Sequence, residues 1–127
     1  MKAGIVAAVA AGGAIGSVAR YFVSTIQSPT WTGFPYAIFT VNVSGGFIMG
    51  VLTELMALKF SVSTEVRAFL TTGIMGGYTT FSTFSLESAA LIQRQAYVTA
   101  SSYVIGSAIL SILALFCGLW IVRAIYA

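Results

Sequence analysis

Four stretches of apolar residues, each long enough to cross a lipid bilayer, occupy almost the whole 127-residue chain. A membrane-spanning helix needs about 20 predominantly apolar residues, and the stretches cover approximately residues 3–26, 34–58, 67–92 and 96–122. Charged residues make up 7% of the chain, whereas a soluble domain carries about 25%. The sequence therefore predicts an all-α integral membrane protein, with residues 1–127 forming a single domain of four transmembrane helices.

The inventory of reactive side chains excludes most enzyme chemistry. The chain has no histidine, one cysteine (Cys117) and three carboxylates, so a Ser-His-Asp or Cys-His site cannot be assembled. Zinc and iron sites need clusters of these same residue types. The six cationic residues are spread along the chain rather than clustered, which favours lipid headgroups over nucleic acid as their partners. We expect a protein that is not an enzyme and that binds no nucleic acid.

The distribution of Lys and Arg bears on topology. Four helices place both termini on one side, which then carries Lys2, Lys59, Arg67 and Arg123, and the opposite side carries Arg20 and Arg94. A bias of four against two is small for the positive-inside rule, so insertion in both orientations is possible. Aromatic residues near the predicted span ends suit the headgroup region: these are Trp31, Tyr36, Tyr97, Trp120 and Tyr126.

The N-terminus has a second interpretation, a cleavable signal peptide. Lys2 precedes an apolar run, and Ser17, Val18 and Ala19 resemble a small-residue cleavage site. Cleavage there would leave three spans, and the apolar run continues through Tyr21–Val23. We therefore favour a first transmembrane helix over a leader peptide.

Pairs of glycines recur at helical contact spacing: Gly12 and Gly16, Gly46 and Gly50, Gly73 and Gly77. Such pairs let helix backbones approach closely in lipid, where packing replaces the hydrophobic driving force. For the first two pairs, helix packing alone is a sufficient explanation. The third pair precedes an unusual polar segment.

That segment, TTGIMGGYTTFSTFS, lies inside the third apolar stretch and holds seven Ser or Thr hydroxyls. The adjacent Gly76 and Gly77 favour unwinding, since glycine costs about 1 kcal/mol relative to alanine in a helix interior. A break at membrane depth would expose carbonyl oxygens that can coordinate a cation and amides that favour an anion. The hydroxyls are those of Thr71, Thr72, Thr79, Thr80, Ser82, Thr83 and Ser85.

Two aromatic residues follow the predicted break. Phe81 and Phe84 are three residues apart and therefore share a helix face. Because the edge of an aromatic ring is partially positive, two adjacent edges could line a path for a small anion, with Ser and Thr hydroxyls replacing part of its hydration shell. Ordinary lipid or core packing of the two rings is the alternative.

Polar residues also occur in the other spans. Tyr103, Ser107 and Ser111 form an i, i+4, i+8 line on the fourth stretch, although such hydroxyls often bond to their own helix. Asn42 in the second stretch needs partners from elsewhere, because an amide cannot satisfy all its groups locally. Arg20 either reaches the lipid interface or supplies a fixed positive charge at a pore mouth.

Taken together, these residues resemble the Fluc (CrcB) family of fluoride channels. The similarity rests on the run from Gly76 to Ser85, on Asn42 within TVNVSGG and on Arg20 after GAIGSVA, and it extends over the whole chain. Tyr78 fills a slot of the GGxTTFSTFS motif where a smaller or aliphatic residue is more usual.

The resemblance implies a passive, fluoride-selective ion channel that exports fluoride and confers fluoride resistance. It implies an antiparallel, dual-topology homodimer in the prokaryotic inner membrane, with two pores and a central structural sodium ion held by the carbonyls of Gly76 and Thr79. It places Arg20 in a vestibule, and Asn42 as the residue that positions the aromatic lining. The implied pore residues are Phe81, Phe84, Asn42, Thr80, Ser82, Thr83, Tyr103, Ser107 and Ser111.

Two other classes of protein share the size and apolar character. A small four-helix multidrug exporter requires a carboxylate in its first helix, and residues 3–19 contain none. A non-transporting membrane subunit would use its glycines and hydroxyls only for packing, and would tolerate Phe81→Ile and Asn42→Ala. With Glu54 and Glu87 both toward span ends, there is no obvious proton relay, which favours passive conduction.

Overall fold

The structure is a computed structural model that describes residues 2–27 and 33–127. The predicted interfacial residue Trp31 lies outside these residues. The described chain is helical and forms α1 (Ala3–Ser24), α2 (Tyr36–Leu58), α3 (Thr64–Ala68), a π-helix (Phe69–Met75), α4 (Gly76–Tyr78), α5 (Phe81–Gln93) and α6 (Tyr97–Tyr126). The all-α prediction is confirmed.

Three of the described helices are long and apolar enough to cross a membrane: α1, α2 and α6. Their exposed positions carry many large apolar side chains, which suits a surface that faces lipid. The 30 residues of α6 extend about 45 Å. Exposed aromatic rings of Tyr36, Tyr97 and Trp120 lie at or near helix ends, as predicted for residues at the membrane interface.

The third apolar stretch is a continuous helix only as far as Tyr78. The helical geometry continues from α3 through the π-helix into α4, and then the backbone is extended at Thr79 (ψ 158°) and Thr80 (φ −151°, ψ 126°) before α5 begins. The predicted break is therefore present, but it follows the Gly76–Gly77 pair that suggested it. Gly76 itself is helical (φ −63°, ψ −36°).

Packing explains why the glycine pair stays helical. The first half of the third stretch packs along α1, where a Cβ atom on Gly77 would lie 2.6 Å from the Gly13 carbonyl oxygen. A Cβ atom on Gly73 would lie 2.9 Å from Gly12 Cα. These glycines thus serve close backbone contact, and the wide π-helix brings its carbonyl groups against the α1 glycines.

A second closely packed pair consists of α2 and α6. A Cβ atom on Gly46 would lie 2.5 Å from the Ser111 carbonyl oxygen, and one on Gly50 would overlap the Leu115 carbonyl group. Gly118 on α6 likewise packs against the α2 backbone, where a Cβ atom on it would overlap the Phe47 carbonyl oxygen. The packing interpretation of the Gly46–Gly50 pair is consistent with these contacts.

Two polar interactions fix helix ends. The Ser63 hydroxyl accepts a hydrogen bond from the Val66 N–H (3.2 Å) and caps the N-terminus of α3. Near the C-terminal ends of α2 and α6, Arg123 Nε donates a hydrogen bond to Glu54 Oε1 at 2.8 Å. The Glu54 side chain is only 10% exposed, so this ion pair neutralises a carboxylate that is otherwise buried.

Candidate functional site

The side chain of Asn42 on α2 binds the break in the third stretch. Asn42 Oδ1 accepts a hydrogen bond from the Thr80 N–H at 3.0 Å, and Asn42 Nδ2 donates to the Thr80 carbonyl oxygen at 3.2 Å. The Thr80 N–H is therefore turned away from the Gly76 carbonyl, its partner in a regular helix. Asn42 thus replaces the hydrogen bonding that the extended backbone loses, which explains why an amide lies inside an apolar helix.

The side chains of the break stabilise the two helices that flank it. The Thr80 hydroxyl accepts a hydrogen bond from the Thr83 N–H at 3.1 Å and so caps α5. Thr79 Oγ1 donates to the Met75 carbonyl oxygen at 2.9 Å. The Thr79 carbonyl oxygen accepts from Arg20 Nη1 at 3.4 Å, which brings a guanidinium group from α1 to the break. With Asn42 of α2, the helices that meet at Thr79 and Thr80 are therefore α1, α2, α4 and α5.

Aromatic rings form a row that begins at the break. The ring centroids of Phe81 and Phe84 are 5.5 Å apart, and those of Phe84 and Tyr103 are 5.1 Å apart. Phe34 completes the cluster with its ring edge-on to Tyr103. Tyr103 is fully buried, whereas Phe81 is 78% exposed. The predicted shared face of Phe81 and Phe84 is present, and the row runs from the interior of the subunit to its surface.

A cavity of about 400 Å³ lies between α2, the break and α6. Its walls are mainly apolar, with a few polar groups from the break and from α6. Seven of the predicted site residues line it: Asn42, Thr79, Thr80, Phe81, Phe84, Ser107 and Ser111.

Two hydroxyls in this cavity wall have no partner among the described residues. Ser107 Oγ and Ser111 Oγ are buried and make no hydrogen bond there, although serines in membrane helices commonly bond to their own backbone. A buried donor without a partner is unfavourable by about 1–3 kcal/mol. Both hydroxyls are one helical turn apart on α6, so they present two donors along one wall of the cavity.

The remaining predicted residues lie near this cavity without lining it. Ser82 is exposed and pairs with the Thr80 hydroxyl at 3.2 Å, and Thr83 contributes its backbone amide to the α5 cap. The Tyr103 hydroxyl donates to Glu87 Oε1 at 3.2 Å. Arg20 contacts the break through the Thr79 carbonyl, and Gly76 is exposed.

Several lining residues were not predicted from the sequence. Gly45, Gly46, Met49 and Met75 form part of the cavity wall. The Gly45–Gly46 pair, three and four residues after Asn42, was the available signal, because glycine at these positions lets Thr79 and the Ser111 backbone approach the face of α2 that carries Asn42. Met49 and Met75 could not be recognised as lining residues from the sequence, since apolar side chains are common throughout the stretches that contain them.

The described residues contain no group of three or more His, Cys, Asp or Glu side chains that could hold a metal ion. The oxygen atoms available at the break are backbone carbonyls. The Gly76 carbonyl is released from the Thr80 amide, and the Thr79 carbonyl lies beyond the end of α4. Neutral oxygen donors of this kind suit a hard cation of low charge.

Fold and site together define a multi-pass helical membrane protein with a polar break in one helix and an aromatic and hydroxyl-lined cavity beside it. Residues 7–119 match the family model described as CrcB-like protein, Camphor Resistance (CrcB). The chain belongs to the CrcB family.

Curated relatives support this membership over nearly the full length. The chain is 49% identical over 124 residues to a protein of Caulobacter vibrioides named fluoride-specific ion channel FluC, covering 94% of this chain and 95% of the relative. It is 48% identical over 127 residues to the protein of that name in Nitrobacter winogradskyi, covering 98% and 100%. Because its family consists of ion channels, the prediction that the chain is not an enzyme is confirmed.

Proposed function

We propose that the chain is a passive fluoride-selective channel that lets fluoride leave the cytoplasm of a prokaryotic cell through the inner membrane and so confers resistance to the ion. Membership of the CrcB family and relatives named fluoride-specific ion channels support the proposal. The observation that carries it is the pair of buried hydroxyls of Ser107 and Ser111, which have no hydrogen-bond partner in the described part of the chain and line the same cavity as Phe81 and Phe84.

The chemistry of this cavity suits a small dehydrated anion. Hydroxyl groups can donate to fluoride in place of water, and the partially positive edges of Phe81 and Phe84 add electrostatic stabilisation without a full charge. A fixed cation in the pore would bind the anion too tightly for release, whereas neutral donors permit both entry and exit. Arg20 does not line the cavity but donates to the carbonyl oxygen of Thr79, which does, and its charge supplies positive potential near the proposed fluoride path.

The positions and hydrogen-bond partners of the three carboxylates favour passive conduction over proton-coupled transport. Glu54 is paired with Arg123, Glu87 accepts from Tyr103, and Glu65 lies in the first turn of the short helix α3. The described residues thus offer no chain of titratable groups through the centre of the fold.

A homodimer is supported by the exposure of Phe81. This ring is 78% exposed although it adjoins the break, so a single subunit covers one side of the proposed path only. An antiparallel dual-topology dimer would supply a second wall to each of two pores, and the weak bias of Lys and Arg permits both orientations. In this arrangement the two halves of the third stretch together cross the membrane once, beside α1, α2 and α6. The residues that surround the pore include Thr80, Ser82, Thr83 and Tyr103.

We further propose that Gly76 and Thr79 would hold a structural sodium ion at the interface through their backbone carbonyls. The fit rests on the donor set: the break frees these oxygens from helical hydrogen bonds, and the Thr79 carbonyl instead accepts a hydrogen bond of 3.4 Å from Arg20 Nη1, which would share this oxygen with the ion. Two subunits would contribute four such oxygens. Bound there, the ion would supply fixed positive charge in a site of low dielectric constant. Asn42 holds the adjacent Thr80 backbone and thereby orients both carbonyls.

The experiment is fluoride efflux from proteoliposomes that contain the purified protein, with a potassium ionophore to dissipate the membrane voltage. We expect fast fluoride efflux, slow chloride efflux, and suppressed flux in Phe81→Ile. The matched control is Phe116→Ile, an exposed ring on α6 outside the cavity. Absence of fluoride efflux from folded dimers would contradict the proposal and favour a non-transporting membrane subunit.

A further inference from the structure

Tyr78, the residue that departs from the usual pattern of the motif, makes a specific contact with α2. Its hydroxyl oxygen lies 3.0 Å from Ser44 Oγ. Ser44 Oγ donates to the Val41 carbonyl oxygen at 3.2 Å, so the Tyr78 hydroxyl is the donor to Ser44. Tyr78 is the last residue of α4, which places this hydrogen bond immediately before the break.

Gly45, the neighbouring residue on α2, makes room for the break. A Cβ atom on Gly45 would lie 3.5 Å from Tyr78 Cδ2 and would overlap the Thr79 methyl group. The distance to Tyr78 Cδ2 is an ordinary van der Waals contact, whereas Thr79 could not lie where it does beside a larger residue at position 45. The glycine thus permits α2 to contact the break itself, next to the Tyr78–Ser44 hydrogen bond.

Helix α2 therefore binds the two-residue break on both sides. Ser44 holds Tyr78 before it, and Asn42 holds Thr80 after it. We propose that the Tyr78–Ser44 hydrogen bond is a latch that positions the break, so that Tyr78 is a positioning residue for conduction in this chain. The effect on conduction rests on the function proposed above, whereas the effect on the backbone does not.

The size of the effect follows from the strength of one hydrogen bond. Losing a typical intramolecular hydrogen bond changes an equilibrium constant about five-fold. We therefore expect the ratio of displaced to held break conformations to rise about five-fold in Tyr78→Phe and in Ser44→Ala. Because both variants lose the same bond, the double variant should show no further rise, whereas independent effects would multiply to about 25-fold.

Hydrogen exchange in lipid nanodiscs measures the latch directly. The amides of Thr79 and Thr80 donate to the Met75 carbonyl and to Asn42, so both exchange only when the break is displaced. We expect about five-fold faster exchange of these amides in Tyr78→Phe, with Ser44→Thr close to the unaltered protein because it retains a hydroxyl. Tyr97→Phe, an exposed tyrosine at the start of α6, is the control.

Single-channel recording in planar bilayers with fluoride on both sides tests the consequence for conduction. We expect the ratio of closed to open time to rise by the same factor in Tyr78→Phe, with the unitary current unchanged. A purely structural defect would instead reduce the number of active dimers and leave this ratio unaltered.

The outcomes separate the two proposals. Unchanged exchange in Tyr78→Phe, or a double variant that multiplies the single effects, would overturn the latch. Faster exchange with an unaltered closed-to-open ratio would overturn its role in conduction. A protein that carries no fluoride current at all, but whose exchange responds to Tyr78→Phe, would refute the proposed function and leave the latch as a structural contact.

Discussion

The Asn42 side-chain amide makes two hydrogen bonds to the backbone of Thr80: Oδ1 accepts from the N–H at 3.0 Å, and Nδ2 donates to the carbonyl oxygen at 3.2 Å. A separation of 38 positions in the sequence makes this a tertiary contact. It completes the hydrogen bonding of a backbone that cannot complete its own in a membrane. The orientation of Phe81, the next residue, depends directly on it.

Asn42→Ala leaves the Thr80 N–H and carbonyl without partners. Each unsatisfied group costs about 1–3 kcal/mol, so we expect a lower melting temperature and at least a ten-fold loss of fluoride flux, with dimers still formed. Efflux assays and thermal unfolding in detergent measure the two effects. Thr53→Ala, an exposed position on the same helix, serves as the control; normal flux in Asn42→Ala would refute the positioning role.

Ser107→Ala separates an ion-binding hydroxyl from a structural one. Its Oγ makes no hydrogen bond among the described residues, so removing it should leave thermal stability unchanged or slightly higher. A hydrogen bond to a charged group contributes about 1.5–3 kcal/mol, and we therefore expect fluoride flux to fall roughly ten-fold or more. Ser101→Ala on the same helix, where the side chain is exposed, should alter neither property. A destabilised Ser107→Ala with normal flux would contradict this assignment.

Two glycines of α1 should differ in their response to a methyl group. A Cβ atom on Gly16 would overlap the Ile74 carbonyl, whereas one on Gly13 meets no atom within 4 Å. We expect Gly16→Ala to destabilise the fold by about 1–3 kcal/mol through overpacking. Gly13→Ala should be neutral or stabilising by up to about 1 kcal/mol, because alanine favours the helix. Thermal unfolding of the two variants in the same detergent measures the difference in stability. Equal stability would contradict the close packing of Gly16 on the Ile74 carbonyl.

The ion pair of Glu54 and Arg123 should respond unequally to removal of either partner. Glu54 is buried and Arg123 is half-exposed. Arg123→Met leaves a buried carboxylate uncompensated, whereas Glu54→Gln leaves a guanidinium that can reach water. We expect the larger fall in melting temperature for Arg123→Met, with partial recovery in the double variant. Equal losses in both single variants would indicate that burial of Glu54 is not the cause.

Much of the fold follows from the sequence, because apolar length and composition dictate helices in lipid. The bounds of α1, α2 and α6 lie within a few residues of the predicted spans. The location of the break did not follow, since local glycine flexibility at Gly76–Gly77 competes with close packing of Gly77 on α1. The break forms where Asn42 can satisfy the Thr80 backbone, a tertiary contact that no local pattern encodes.

The candidate site shows the same division. The sequence predicted that Phe81 and Phe84 share a face and that Ser107 and Ser111 form a line, because helical periodicity alone determines both. It did not predict that Tyr78 reaches Ser44 or that Arg20 reaches the Thr79 carbonyl. Those contacts depend on how α1 and α2 pack against the third stretch, and hence on the complete fold.

The most direct measurement is the initial rate of fluoride efflux from proteoliposomes for the unaltered protein and for Phe81→Ile, with chloride efflux measured in parallel. We predict rapid fluoride efflux, little chloride efflux, and a large reduction of the fluoride rate in Phe81→Ile at equal dimer content. Fluoride efflux no faster than from protein-free liposomes, or an unaltered rate in Phe81→Ile, would contradict a fluoride path along this ring.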